Sequence, residues 1–397
     1  MNLQLSSDNE VRKNAALSLK EGLLPKEDLI VTIVNNITKD HSINNNLRGF
    51  KKHYSSMNLH NLITDEVMEN LVSVVSSSYK DISRRYYKIK AKVLGVDKIN
   101  YWDRNAPLFN TNSKFSFNEA KDIILAAFGS FNKDFASIAE LFFKNNWIDA
   151  KLLPNKMNGA FAHPTTVKVH PYVLVNFHGG YLDVTTLAHE LGHGIHQYLA
   201  RDVGELQAGT PLVLAETASI FGEQIVFDYL KGVTKDESMQ KYLLSNKIEG
   251  IINSVHRQIA FHIFEVELHN LRVSGELTAE QVKELFFVTQ RDCLGEAVNL
   301  TKEDGIFWSY VSHFFHVPFY VYAYAFGDSL VRSLYAVYKS GNSEFMNNYL
   351  DLLKNGGKIT PKLAVEKFGF DINKKDFWQN GLQITTKLID ELEGLIY

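Results

Sequence analysis

Helical spacing runs through almost the whole of this sequence and is broken hard in one place. Leu, Ala, Lys and Glu recur three and four residues apart, and only 8 of the 397 residues are proline. Pro154, Pro164 and Pro171 fall between residues 150 and 182, together with Gly159, Gly179 and Gly180. A chain patterned this way is mainly α, with one interruption long enough for a small β-element. Inside the interruption, residues 167–169 and 172–177 are β-branched and aromatic, and both read as short strands. Upstream, residues 9–95 read as four or five amphipathic helices joined by short polar turns, such as residues 40–46. Residues 97–116 read as irregular, and two more helices are expected near 117–130 and 132–146. After Asp183 the pattern is helical almost to the end, and no internal repeat appears.

Charge and cysteine usage narrow the function classes. The formal net charge is −3 with no long basic run, so nothing favours a nucleic-acid partner. Cys293 is the only cysteine; an internal disulfide is impossible, and the thiol reads as a small core residue in a reducing compartment. The first ten residues lack an apolar segment of the signal-peptide kind, and no run approaches the roughly 18 apolar residues of a membrane span. The expectation is a cytoplasmic protein without a membrane partner.

The stretch that carries chemistry begins at Asp183, which reads as an N-cap. Leu187, Leu191, Ile195 and Tyr198 then form an apolar stripe. His189 and His193 stand four apart, so both imidazoles leave one helix face a turn apart. Two ring nitrogens so placed can each reach about 2.0–2.1 Å from one zinc ion. Glu190 is rotated away from that face, too far to ligate but able to act as a general base on water. This is the zincin pattern. Alone it arises by chance at a rate on the order of 0.03 per chain of this composition. Gly192 and Gly194 add weight: glycine inside a helix costs about 1 kcal/mol relative to Ala, which implies close approach of another backbone or of a substrate.

A catalytic zinc requires a third protein ligand. A third histidine six residues after the second is excluded, because position 199 is Leu. His196 is only three residues on and reads as a wall or hydrogen-bonding residue. Glu205 lies in a polar loop. Glu216 lies in a segment that is apolar nearly all round, where a carboxylate is costly without a cationic partner. The expected ligands are therefore His189, His193 and Glu216, with one Zn2+ per chain. Glu223 returns to the Glu216 face and can accept the second ring N–H of a ligand histidine.

At these residues the sequence resembles the oligoendopeptidase F family, within the thimet oligopeptidase-like zinc metallopeptidases. The resemblance rests on Leu187-Ala188-His189-Glu190-Leu191-Gly192-His193-Gly194-Ile195-His196, on Glu216-Thr217-Ala218-Ser219 with Glu223, and on the aromatic block from Ser312 to Gly327. Lys88 to Gly95, Asp103 and Ala106-Pro107-Leu108 extend it over essentially the whole chain. It implies a helical zincin-like peptidase with a deep channel and a small β-element beside the active-site helix. The implied activity is zinc-dependent endopeptidase cleavage of short oligopeptides. By the same resemblance residues 172–177 would pair with substrate backbone, and His313 and Tyr320 would stabilise the oxyanion, with Tyr322 and Tyr324 as alternatives. Members of the family are longer, and the portion lacking here is N-terminal, so a separate N-terminal lobe or chain is a further expected partner. The expected organisation is a helical segment over 1–105 packing on a catalytic domain over 106–397. The rival readings are an inactive peptide-binding remnant and a zinc carboxypeptidase of similar architecture.

Overall fold

The computed structural model describes residues 2–109 and 114–397. Of the expected irregular stretch 97–116, residues 110–113 lie outside the described residues. The chain divides into two units, one formed by Met1–Asn110, Leu244–Phe326 and Asn373–Tyr397, the other by Thr111–Leu243 and Gly327–Ile372. Among the described residues five short strands accompany the helices: β1 (Ile99–Asn100), β2 (Ile148–Asp149), β3 (Phe161–His163), β4 (Tyr172–Leu174) and β5 (Val298–Asn299). Among the described residues no helix is long and apolar enough to cross a membrane.

In the first unit the N-terminal pattern becomes helices Asn9–Leu23, Glu27–Leu47, Ser55–His60, Asp65–Ser77 and Ser83–Val93. The polar run 40–46 is not a turn. It continues helix Glu27–Leu47 because its polar side chains find partners without leaving the helix. Asn44 donates to the Asp40 carbonyl at 3.1 Å and its carboxylate at 3.0 Å, and Asn45 donates to the His53 carbonyl at 3.0 Å. The helix stops instead near Gly49, whose φ of +73° suits glycine. Further on, helices Arg257–Arg272 and Ala279–Leu294 pack their apolar faces together, burying Phe264, Phe286 and Cys293. Lys90, fully buried, donates to Glu249 at 2.5 Å and to the Arg104 carbonyl at 2.7 Å. A buried ammonium is tolerated only with such partners.

The second unit holds the interrupted region. Val167–Val169 is not a strand: it lies in a turn between Pro164 and Pro171, with Thr165 at φ +59° and the Val169 N–H donated to the Thr166 carbonyl. The strands of this sheet that sequence reading missed are β2 and β3. The sheet order is β2-β4-β3, with β4 parallel to β2 and antiparallel to β3, Phe161 opposite Leu174 and His163 opposite Tyr172. Val173 and Val175 donate to the carbonyls of Trp147 and Asp149, and the alternate residues of β4 serve β3. Both edges of β4 are thus taken, so of the stretch 172–177 expected to pair with substrate, residues 172–174 are already paired within the sheet. The outer edge belongs to β3, which pairs with no second strand among the described residues.

The motif helix runs Tyr181–Ala200. Its N-cap is Gly180, not Asp183. The positive φ of Gly179 (+84°) turns the chain early, and Asp183 at the third helical position accepts the Gly180 N–H at 2.7 Å. Leu187, Leu191 and Ile195 are fully buried, as the stripe predicts. The two glycines are explained by close packing. A Cβ on Gly192 would sit 2.4 Å from the Ala218 carbonyl oxygen and 2.6 Å from the Ser219 Cα; one on Gly194 would meet the Phe142 ring at 2.6 Å. The neighbouring backbone belongs to helix Thr217–Val233.

Two glycine substitutions should therefore have opposite signs. Gly192→Ala pushes against backbone and should destabilise the chain by about 1–3 kcal/mol. Gly250, in helix Glu237–Ile251, has nothing within 4 Å of its would-be Cβ, so Gly250→Ala should stabilise by roughly 0.5–1 kcal/mol. Denaturant midpoints of the two variants test this; a neutral Gly192→Ala would contradict the close approach.

Candidate active site

The close contact at Gly192 brings the start of helix Thr217–Val233 against the His189/His193 face. The segment around Glu216 is two helices, Leu212–Ala215 and Thr217–Val233, and Glu216 sits at their joint. His189 Nε2 lies 3.3 Å, and His193 Nε2 3.4 Å, from Glu216 Oε2, and the two Nε2 atoms are 3.1 Å apart. Tetrahedral ligands at about 2.0–2.1 Å from a zinc ion stand about 3.3–3.4 Å from one another. The three edges match one face of such a tetrahedron. His189, His193 and Glu216 are also the group of potential ligands that converges among the described residues.

The surroundings fix the protonation of this group. His189 Nδ1 and Glu223 Oε1 are 2.5 Å apart, so Glu223 holds a proton on Nδ1, and it is Nε2 that faces the centre and would give up its proton to a metal ion. Burial opposes a charge on His189, but the Glu223 hydrogen bond and the charges of Glu223, Glu216 and Glu190 outweigh it and lift its pKa to about 9. Burial raises Glu216, yet the His193 hydrogen bond and the two histidine charges carry it down to about 2. Ser219 donates to Glu216 Oε2 at 2.7 Å. The negative charge gathered here favours a cation, which fits a metal ion. Glu190 is 6% exposed and its Oε2 has no hydrogen-bond partner. Burial raises its pKa despite the nearby histidines. It is a carboxylate beside the trio left available to accept a proton.

The remaining candidates are placed elsewhere. His196 is buried, and burial holds its ring neutral with a pKa of about 4; it does not join the trio. Glu205 is exposed and accepts the Val167 N–H at 3.2 Å. Beside His193 a cavity of about 330 Å³ opens, bounded by His196, Gln197, Arg201 and Val167. Gln197 donates to the Ala162 carbonyl at 3.3 Å, which ties the outer edge of β3 to the motif helix.

In the first unit His313, Tyr320 and Tyr324 form a cluster. The His313 ring stacks with Tyr320 at 5.4 Å and 21°, and Tyr324 Oη lies 3.2 Å from His313 Nε2. Tyr322 is different: it is fully buried and its oxygen accepts from Asn61 at 2.8 Å, a core role. Burial, with His316 nearby, lowers the His313 pKa and keeps the ring neutral. Sequence reading missed Ser219 as a partner of Glu216, although its position three residues on along a helix is the available signal. It also missed Glu265, fully buried on helix Arg257–Arg272, whose Oε1 accepts the Phe319 N–H at 2.9 Å.

Residues 2–384 match peptidase family M3. The chain belongs to this family. It is 28% identical over 399 residues to oligopeptidase PepF of Bacillus subtilis, covering 100% of this chain and 59% of that protein. It is 26% identical to the chromosomal oligoendopeptidase F of Lactococcus lactis, over 99% of this chain and 65% of the relative. Among solved structures, a candidate peptidase from Chlamydophila abortus superposes with a TM-score of 0.88 at 26% identity, covering 99% of this chain and 66% of that one. Oligoendopeptidase-F of Enterococcus faecium shares the fold, with a TM-score of 0.78 at 23% identity over 100% of this chain and 65% of that one. This M3 chain thus spans about three-fifths to two-thirds of the length of these relatives.

The buried Glu265 yields a pH prediction. Burial raises its pKa to about 8 against the bonding of the Phe319 amide. The folded chain therefore keeps a proton that the unfolded chain releases above about 4.5, and the stabilisation is lost as pH rises from there toward 8. Glu265→Gln does not titrate. Its stability relative to wild type should increase across that window and level off above it, measured by urea unfolding at a series of pH values; a constant difference would place the Glu265 pKa elsewhere.

Proposed function

We propose that this chain is a zinc-dependent endopeptidase acting on short peptides. One observation carries the reading: three ligand atoms converge at tetrahedral spacing beside a buried carboxyl oxygen that has no partner. Family membership supports hydrolysis of peptide bonds, and the names of the relatives support oligopeptides as the class of substrate.

His189, His193 and Glu216 would hold one zinc ion. Bound there, it would supply a Lewis acid that polarises the scissile carbonyl and acidifies water. Glu190 takes the proton from the attacking water and delivers it to the leaving amine. Glu223 keeps the proton on His189 Nδ1 and so keeps Nε2 free as a donor atom. An extended peptide can add to the outer edge of β3, pairing with the Ala162 N–H and sharing or displacing Gln197 at its carbonyl. The cavity beside His193 has room for a side chain of that peptide. To His313 and Tyr320 we assign hydrogen bonds to the developing oxyanion, and Tyr324, at 3.2 Å from the His313 ring, competes with Tyr320 for that role.

Metal analysis combined with hydrolysis of an end-blocked fluorogenic peptide tests the reading as a whole. A blocked peptide also separates it from a carboxypeptidase, which needs a free C-terminus. Zinc-loaded protein that cuts no blocked peptide would leave the inactive-remnant reading standing. Glu216→Ala should lose most of its zinc. Glu223→Gln should weaken metal affinity by about 10–100-fold, and Glu205→Gln should not change it. Glu190→Gln should retain zinc and lose activity by about 100-fold or more.

The two tyrosines are separated by turnover. Removing an oxyanion donor costs about 100–1,000-fold in kcat with little change in KM. Tyr320→Phe and Tyr324→Phe, assayed side by side, should show that loss in one variant only; wild-type kcat in both would remove tyrosine from the assignment.

A further inference from the structure

Glu265 and Phe319 have no part in the chemistry above. The Tyr320 N–H closes on the Val317 carbonyl at 3.2 Å, so residues 317–320 form a β-turn with Pro318 in its second position. Phe319, in the third, has φ +61°. These are the marks of a type II turn, in which the third position ordinarily belongs to Gly or Asn. A phenylalanine there is strained, so something must hold it.

Two contacts do. The Phe319 ring is fully buried, packed against His269 at 4.6 Å, His41 at 5.4 Å and His262 at 6.0 Å. Its N–H, which the turn bond does not use, enters the Glu265 carboxyl group at 2.9 Å. Glu265 is 1% exposed, and its other oxygen has no hydrogen-bond partner. A carboxyl group so buried is costly, and this amide is the contact the structure gives it. The next residue in the chain is Tyr320, whose ring lies on His313.

We propose that Glu265 is a positioning residue: by clamping the strained turn at Phe319 it sets the placement of Tyr320 against His313. The proposal rests on the peptidase reading for its catalytic consequence, and on the turn geometry for its structural one. A glycine would relax the turn but supply no ring to bury. Phenylalanine together with a buried acceptor gives one fixed conformation, which donors to a transition state require.

The test uses the full chain, zinc-loaded, with Glu265→Gln and Glu265→Leu. The amide still offers an oxygen to the Phe319 N–H; leucine fills the space without an acceptor. Glu265→Leu should lower kcat by about 10–100-fold, with KM and zinc content unchanged and the fold intact by circular dichroism. Glu265→Gln should stay within about threefold of wild type. In parallel, His313 is titrated by NMR of ring-labelled histidine. Its lowered pKa should move back toward about 6.5 in Glu265→Leu and stay in place in Glu265→Gln. The proposal is overturned if Glu265→Leu keeps wild-type kcat and an unmoved His313, if the two variants are equally impaired, or if lost turnover tracks lost zinc or lost fold. Should the wild-type chain cut no blocked peptide, the peptidase reading fails by itself, and the His313 titration still decides the role of Glu265.

Discussion

The second unit depends on one close contact between helices. Gly192 has no side chain, so the backbone at Ala218 and Ser219 can come within reach of the motif helix. Gly222 reciprocates: a Cβ there would lie 3.1 Å from the Ala188 carbonyl oxygen. Two glycines on facing helices bring the axes together, and that distance delivers Glu216 to His189 and His193. With ordinary side chains at these positions the helices would stand farther apart, and a carboxylate could not reach both imidazoles. The break at Glu216 contributes as well, since a residue at a helix joint is free to aim its side chain along the neighbouring helix.

Carboxylates organise both units, each through a different partner. Glu216 is driven toward its charged form by two histidines and Ser219. Glu223 engages the far nitrogen of His189 and holds a proton there. Glu190, buried with an oxygen unpaired, is pushed the other way by its surroundings and is left able to take a proton. Glu265, in the first unit, meets one backbone amide. The same functional group is held charged, paired with an imidazole, left unpaired or bonded to a backbone amide according to burial and to what lies within hydrogen-bond distance.

Much of this was legible in advance because helical patterning and i,i+4 spacing are local properties. The run of N-terminal helices, the convergence of His189, His193 and Glu216, and the contact of Glu223 with His189 all follow from periodicity and from the cost of burying a carboxylate. The errors share another origin. Residues 40–46 look like a turn because Asn and Asp favour turns, but His53 supplies Asn45 with a partner that keeps the helix intact. Val167–Val169 has strand composition but lies pinned between prolines, while Phe161–His163 forms a strand because β4 offers it an edge. The central place of β4 cannot be read from its composition, since pairing is decided between segments and not within one.

The sequence by itself determined the helical class and the motif face that carries His189 and His193, because fixed rotation per residue converts spacing into direction. Only the tertiary structure decided that β3 carries the outer edge, that Tyr322 belongs to the core while Tyr324 meets His313, and that a buried glutamate holds a phenylalanine at positive φ. Each of these depends on which distant segment supplies the partner for a backbone or side-chain group. A hydrogen bond between residues 54 positions apart, as between Glu265 and Phe319, leaves no periodic trace in the chain.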